Sequence, residues 1–280
     1  MKIIRTLLPA FSGIMLASML SNGCAEKAKT VVDEEITTDT ASADAKLRLD
    51  EIFVNIPSPT VLAKELSKAG VNYNRGILNS PSRSGSYSTN YKAAVNLGVF
   101  GADLGYTSAY GQTQDALGYL NSIKQLADKV GVGAAFDEAV IKRFESNANN
   151  KDSIEVLINS AYDKANRNLR SNARVSTAAV VSAGGWIESL YVSASVLTGS
   201  TKNDKNEQAY TRVWNQIYAY RYVYELLNYY QKNPDCSQML KDLQPVGEII
   251  DAYTKKPALT AEDIKAINDK INPIRTQLVN

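Results

Sequence analysis

Helix-length apolar stripes stopped by glycine, proline or asparagine fill this chain from Pro57 onward. No segment alternates as a half-buried strand does, and no Asn-Gly or Asp-Gly hairpin turn appears. The expected fold is therefore all-α, a multi-helix bundle of antiparallel hairpins. Pro57-Ser58-Pro59 opens a helix through Lys68 that stops at Gly70, because proline suits a first turn and glycine a stop. Val71 to Tyr87 reads as a loop. Ser88 or Thr89 caps a helix to about Tyr110, and Gln112 to Val130 forms the next. Ala134 to Ser146 follows, then a helix from Asp152 or Ser153 to about Arg170. Val175 to Leu197 is long and apolar. Glu207 to Gln231 comes after a polar loop. Asn233-Pro234-Asp235 starts a short helix that Pro245 restarts toward Tyr253. Thr260 with Asp263 reads as a capping box for a last helix holding Pro273.

Two of these helices carry isolated charges. Ala93 to Tyr110 holds Gly98, Gly101 and Gly105, although a helix-interior glycine costs about 1 kcal/mol relative to alanine. Ala94, Gly98, Ala102, Gly105 and Ala109 line one side, a face that lets a second helix approach closely. Asp103 is the sole acid there, with Tyr106 one turn on and able to satisfy it. Glu188 is likewise alone within Val175 to Leu197, a helix long enough to span a bilayer but better suited to a buried centre. Phe100, Asp103 and Leu104 echo Trp186, Glu188 and Leu190. The echo fits a pair of hairpin repeats, or simply two glycine-rich core helices. Paired carboxylates in a dry cleft can divide acid and base roles, so Asp103 and Glu188 are the weak catalytic candidates. The competing reading has each carboxylate bonded by tyrosine, serine or arginine to fix helix register. Phe100, Asp103, Tyr106, Trp186 and Glu188 are expected nearest a central cleft, with Phe100, Tyr106 and Trp186 as its ligand-binding residues.

Glu207 to Gln231 is the aromatic segment. Tyr210, Val213, Trp214, Ile217, Tyr220, Tyr224 and Leu227 form one helical face, read as core. Tyr218, Tyr222 and Tyr229 fall on a second face with Asn215 and Glu225. Exposed tyrosines beside amides can make a ligand surface, since the ring stacks and the hydroxyl bonds. A helix buried on both sides is the alternative.

Composition removes whole classes of chemistry. The chain has no histidine, which excludes Ser-His-Asp and Cys-His catalysis and the usual zinc sites. No nucleotide-binding, hydrolase-elbow or calcium-loop motif appears, so neither a metal nor an organic cofactor is expected. Nucleic acid is not expected either, because no basic block offers a phosphate-binding stripe.

The N-terminus carries an address. Lys2 and Arg5 precede an apolar run from Ile3 to Leu20, then Ser21, Asn22, Gly23 and Cys24. That order marks an export signal over residues 1–23. Cysteine directly after small residues resembles the lipobox of bacterial lipoproteins. The resemblance implies cleavage before Cys24, lipidation of its thiol and attachment to the membrane through acyl chains. An ordinary secretory signal with an incidental cysteine is the alternative. Residues 24–50 read as a lipidated flexible tether, too polar to order themselves, and 51–280 as a single all-helical domain. The chain has 31 basic and 29 acidic residues. The leader takes Lys2 and Arg5 and no acid, so the mature charge is balanced and membrane attachment would rest on lipid. With Cys24 lipidated, Cys236 is the only other cysteine and no internal disulfide can form.

Ile56-Pro57-Ser58-Pro59, Leu78-Asn79, the run Asn96 to Leu104 with Tyr106, and Gln114 resemble a group of uncharacterised helical lipoproteins from Bacteroidota. That resemblance implies a cell-envelope location, on an outer membrane facing the periplasm or the surface, and no activity. The leading expectation is a non-catalytic envelope lipoprotein that binds a protein or glycan partner. The alternatives are a glycan-acting hydrolase or lyase using Asp103 and Glu188, and a scaffold subunit of an export or motility complex that docks a foreign helix on the Gly98-to-Ala109 face.

Overall fold

The computed structural model describes Ala43–Asn147, Asn150–Ser171 and Arg174–Asn280. The expected signal peptide, the Cys24 lipidation site and most of the tether lie outside the described residues. Ten α-helices and three short 3-10 turns make up the described chain, which contains no strand. They are α1 (Ala43–Asn55), α2 (Pro59–Lys68), α3 (Asn90–Ala109), α4 (Thr113–Lys129), α5 (Glu138–Ser146), α6 (Lys151–Ser171), α7 (Val175–Leu197), α8 (Glu207–Tyr229), α9 (Pro234–Tyr253) and α10 (Ala261–Val279).

Local chemistry sets most of these ends. Gly70 stops α2 at φ +69°, a conformation that costs other residues a clash at Cβ. Thr89 Oγ1 accepts from the Lys92 amide at the start of α3. At α10 the capping box forms in both directions, with Thr260 and Asp263 each bonding the other's backbone amide.

Three segments depart from the sequence expectation. The tether ends earlier than Asp50, because α1 begins at Ala43. Leu49, Ile52, Phe53 and Ile56 recur at helical spacing and pack on the core, while Arg48 bonds Glu225 and Asp50 pairs with Arg170. The helix expected from Ala134 instead splits into a 3-10 turn, Gly133–Phe136, and α5. Asp137 causes the break: its carboxylate accepts from the Val140 amide in a cap geometry that requires extended backbone. Conversely, α9 runs through Pro245 without restarting. The proline forfeits one backbone bond, and the buried Leu243, Val246 and Ile249 around it hold the helix in place.

The centre of the molecule is the pair α3 and α7, which touch each other more than any other two helices. Small residues make this possible. A Cβ on Gly98 would strike the backbone of Val181 and Gly185, and one on Gly184 the backbone of Val95. The α3 face that could have received a foreign helix is thus filled by the chain itself. Around this pair, α3 folds back against α4 through the Phe100–Tyr119 contact, and α7 against α8 through Trp186 and Tyr220. The run continues antiparallel: Tyr220 reaches Leu243 on α9, and Asp242 of α9 reaches Gln277 on α10. α10 closes onto α7 through Ser195–Asn268 and Arg275–Glu188. Among the described residues α7 alone is long and apolar enough to cross a membrane, and 89% of that stretch is buried inside the bundle.

Candidate functional site

The two lone carboxylates do meet, deep in the bundle. Asp103 and Glu188 are both fully buried. Arg275, itself only 8% exposed, donates Nε to Glu188 Oε2 at 2.7 Å and Nη2 to Oε1 at 2.6 Å. Ile271, Ile274 and Leu278, on the same buried side of α10, set the guanidinium in the core, and its Cζ lies 4.6 Å from the Tyr191 ring centre. This fork-to-fork pairing is the strongest form of carboxylate recognition.

Charge then decides the state of Asp103. Burial pushes its pKa well above the usual carboxylate range, and the negative charge of Glu188 pushes the same way. The opposing pull of Arg275 and of the Asn79 amide is smaller. The anionic form of Asp103 is therefore disfavoured beside the ion pair. Its Oδ2 accepts from Asn79 N at 3.2 Å, and its Oδ1 lies buried without a hydrogen bond of good geometry. Two ionised carboxylates would not tolerate that arrangement. Burial works against the charge of Arg275, but the charge and hydrogen bonds of Glu188, with its other acidic neighbours, together raise its pKa above the ordinary value.

A polar network extends outward from this centre. The Asn79 carbonyl accepts from Tyr119 at 2.8 Å, and its side chain donates to Tyr87 and to Asn96. Asn96 and Tyr87 in turn bond the Leu278 and Val279 carbonyls at the end of α10. The network ties the loop before α3, α3 itself, α4, α7 and α10 into one unit. Tyr106 does not serve Asp103 as expected; its hydroxyl accepts from the Asn74 amide at 3.0 Å. Phe100, Tyr106 and Trp186 are core residues, each at most 2% exposed, and the cavity that Tyr106 lines holds only about 10 Å³, no more than a single water. Trp186 Nε1 donates to the Gln216 carbonyl. A glycosidase pair needs open space for sugar and water between its acids. Asp103 and Glu188 have neither access nor space, and the arrangement fixes helix register.

Sequence reasoning missed Arg275. The available signal was a lone cation among Ile271, Ile274 and Leu278, spaced as a buried face.

The α8 tyrosines divide differently from the expected faces. Tyr210, Val213, Ile217 and Leu227 are core, but Trp214 and Tyr220 are half-buried and Tyr224 is exposed. Tyr218 and Tyr229 are exposed and Tyr222 half-buried. Trp214 and Tyr218 stack with ring centres 5.5 Å apart and planes 13° from parallel. Arg221 Cζ sits 4.0 Å from the centre of the Tyr218 ring and 4.5 Å from that of Tyr222. Its guanidinium donates to both tyrosine hydroxyls at 2.6 Å. Trp214 Nε1 is anchored on the Lys256 carbonyl. The four side chains form a continuous ladder along the outside of α8, ordered by stacking and cation–π attraction.

Cys236 is no candidate for chemistry. It is fully buried, and burial, with the Asp235 charge adding to it, raises its thiol to about 12.

Compared with known proteins, the chain matches no protein-family model, no curated protein and no solved structure.

Proposed function

We propose that this chain is a non-catalytic cell-envelope lipoprotein, anchored through Cys24, whose helical body binds a partner protein on the outer face of α8. The Trp214–Tyr218–Arg221–Tyr222 ladder carries this reading. Tryptophan, tyrosine and arginine are the residues that dominate protein-binding hot spots, and pre-ordered side chains lose little entropy on binding. Four of them already locked together on the outer face of α8 form such a patch. A glycan fits the ladder less well. Sugar stacking needs a free ring face, whereas the Tyr218 ring is already engaged by both Trp214 and Arg221. What the ladder offers is ring edges and hydroxyls, which suit polar and backbone groups of a protein. The sealing of Asp103 and Glu188 supports the non-catalytic half of the proposal.

The test is site-specific photocrosslinking in cells, with the photoreactive residue at position 218 and a control at the exposed Glu145. The proposal expects one protein adduct from position 218 only. Binding of that purified partner should then weaken at least tenfold in a Tyr218→Ala/Tyr222→Ala variant whose melting temperature is unchanged. Identical adducts at both positions, or unchanged affinity, would reject the surface. The anchor is tested separately by labelling with an alkyne fatty acid, which Cys24→Ser should abolish.

A further inference from the structure

Two glycines inside α3 have different reasons to be there. A Cβ on Gly98 would strike the backbone of α7, so close packing accounts for that residue. A Cβ on Gly101 would meet nothing within 4 Å. Gly101 is also partly exposed, although its neighbours Phe100 and Ala102 are buried. A helix-interior glycine costs about 1 kcal/mol relative to alanine, and no packing contact at this position offsets it.

The space that Gly101 leaves is a narrow slot between α3, α4, α5 and α6, away from the α8 ladder. It encloses about 30 Å³. Leu97, Gly101 and Leu104 of α3 line one side, and α6 lines another from Leu157 to Leu169, a run of about 18 Å at 1.5 Å per residue. The small Ala161 and Ala165 lie in the middle of that run. Small residues let α3 and α7 close on each other, whereas here they leave a gap. None of the lining residues is charged. The polar ones, Ser58, Asn159, Tyr162 and Asn166, are only half-buried, and Ser58 already donates to Asn159 at 2.9 Å. The deep part of the slot therefore suits uncharged hydrocarbon.

Size decides which hydrocarbon. A dry apolar cavity that holds benzene measures about 150 Å³, and one water takes roughly 10–15 Å³. The 30 Å³ of this slot, drawn out along α6, is too thin for a ring and has the width of a single methylene chain. A diacyl lipid would leave its second chain in water, at a cost that grows with each exposed methylene. We infer that the slot binds the methyl end of a linear, single-chain fatty acid, with its carboxylate outside in water, and that Gly101 keeps the slot open for it.

The mature chain from residue 24, carrying Cys24→Ser and purified without detergent so that no other alkyl chain competes, is titrated by calorimetry. The probes are pentanoate, heptanoate and cyclohexanecarboxylate, each up to about 10 mM, a range that reaches millimolar affinities. Heptanoate should bind saturably, and about four- to fifteenfold tighter than pentanoate for its two extra methylenes. Cyclohexanecarboxylate has the carbon number and charge of heptanoate but a wider body, and should bind at least tenfold more weakly. Gly101→Ala should weaken heptanoate at least threefold while melting no lower than the wild type, because its methyl narrows the slot and favours the helix. Absence of saturable heptanoate binding, equal binding of the ring compound, or heptanoate affinity unchanged in Gly101→Ala overturns the assignment.

Discussion

Arg275 and Glu188, 87 residues apart in sequence, meet through two parallel hydrogen bonds in the interior and join α10 to α7. Such a pair is costly to desolvate, so it adds little net stability over an apolar replacement. Removing one partner, however, strands the other.

Glu188→Gln should therefore destabilise the protein by about 3–5 kcal/mol, and Arg275→Met by a similar amount. The double variant Glu188→Gln/Arg275→Met should lose much less than the sum of the two single losses. Urea unfolding of the four proteins measures this coupling. Additive losses would mean that the pair carries no shared energy and that the fork-to-fork geometry is incidental.

Asp103 gives a prediction with a definite sign. Its folded pKa lies above its unfolded value because burial and Glu188 disfavour the carboxylate. Its contribution to stability is thus complete below the unfolded pKa of about 3.9. It declines as pH rises toward the folded pKa, by about 1.4 kcal/mol per pH unit. Asp103→Asn keeps the shape of the neutral acid and cannot ionise. The variant should melt higher than the wild type at pH 7, and the difference should shrink to nothing near pH 4. A variant that melts lower at neutral pH would show that Asp103 works as an anion.

These residues also show where a single sequence stops being readable. Helix ends follow local rules, so Val175–Leu197, the Thr89 cap and the Thr260–Asp263 box could be read directly. The isolation of Asp103 and Glu188 within apolar helices was equally visible. Their meeting was not, because it depends on how α3, α7 and α10 pack, and the deciding cation sits on a third helix. The start of α1 was hidden because its apolar stripe begins among polar residues. On α8, tyrosines occupy every side of the helix, so periodicity could not tell the buried Tyr210 from the exposed Tyr224; only the packing of α7, α9, α1 and α2 on that helix does so.

Two glycines of α3, one turn apart, should behave oppositely. Gly98→Ala would set a methyl against the Val181 carbonyl and within 2.5 Å of the Gly185 nitrogen. Both obstacles are backbone, so α3 and α7 must separate, at a cost of about 3 kcal/mol or more. A Cβ on Gly101 meets nothing within 4 Å. Gly101→Ala should gain up to about 1 kcal/mol from helix propensity alone. Thermal melts of the two variants decide this, and equal losses would contradict the packing of α3 on α7.

Cys236 should act as a reporter of global opening. Its Sγ is sealed against the Ser176 carbonyl at 3.5 Å, and its thiol is pushed up to about 12, first by burial and then by Asp235. At pH 8 its thiolate fraction is lower than that of a free cysteine by roughly a thousandfold. Contact with a thiol reagent also requires that α9 leave the core. In a Cys24→Ser background Cys236 is the only cysteine, so every labelling event reports that residue. Labelling in native buffer should be very slow, and should accelerate with urea in step with loss of helical signal, as expected when the open population controls modification. The Glu188→Gln variant should label faster by the factor its lost stability dictates, since both processes pass through the same opening. Fast labelling of the wild type before any loss of helix would instead reveal local release of α9, and would separate that helix from the cooperative unit that the Asp103–Glu188–Arg275 network holds together.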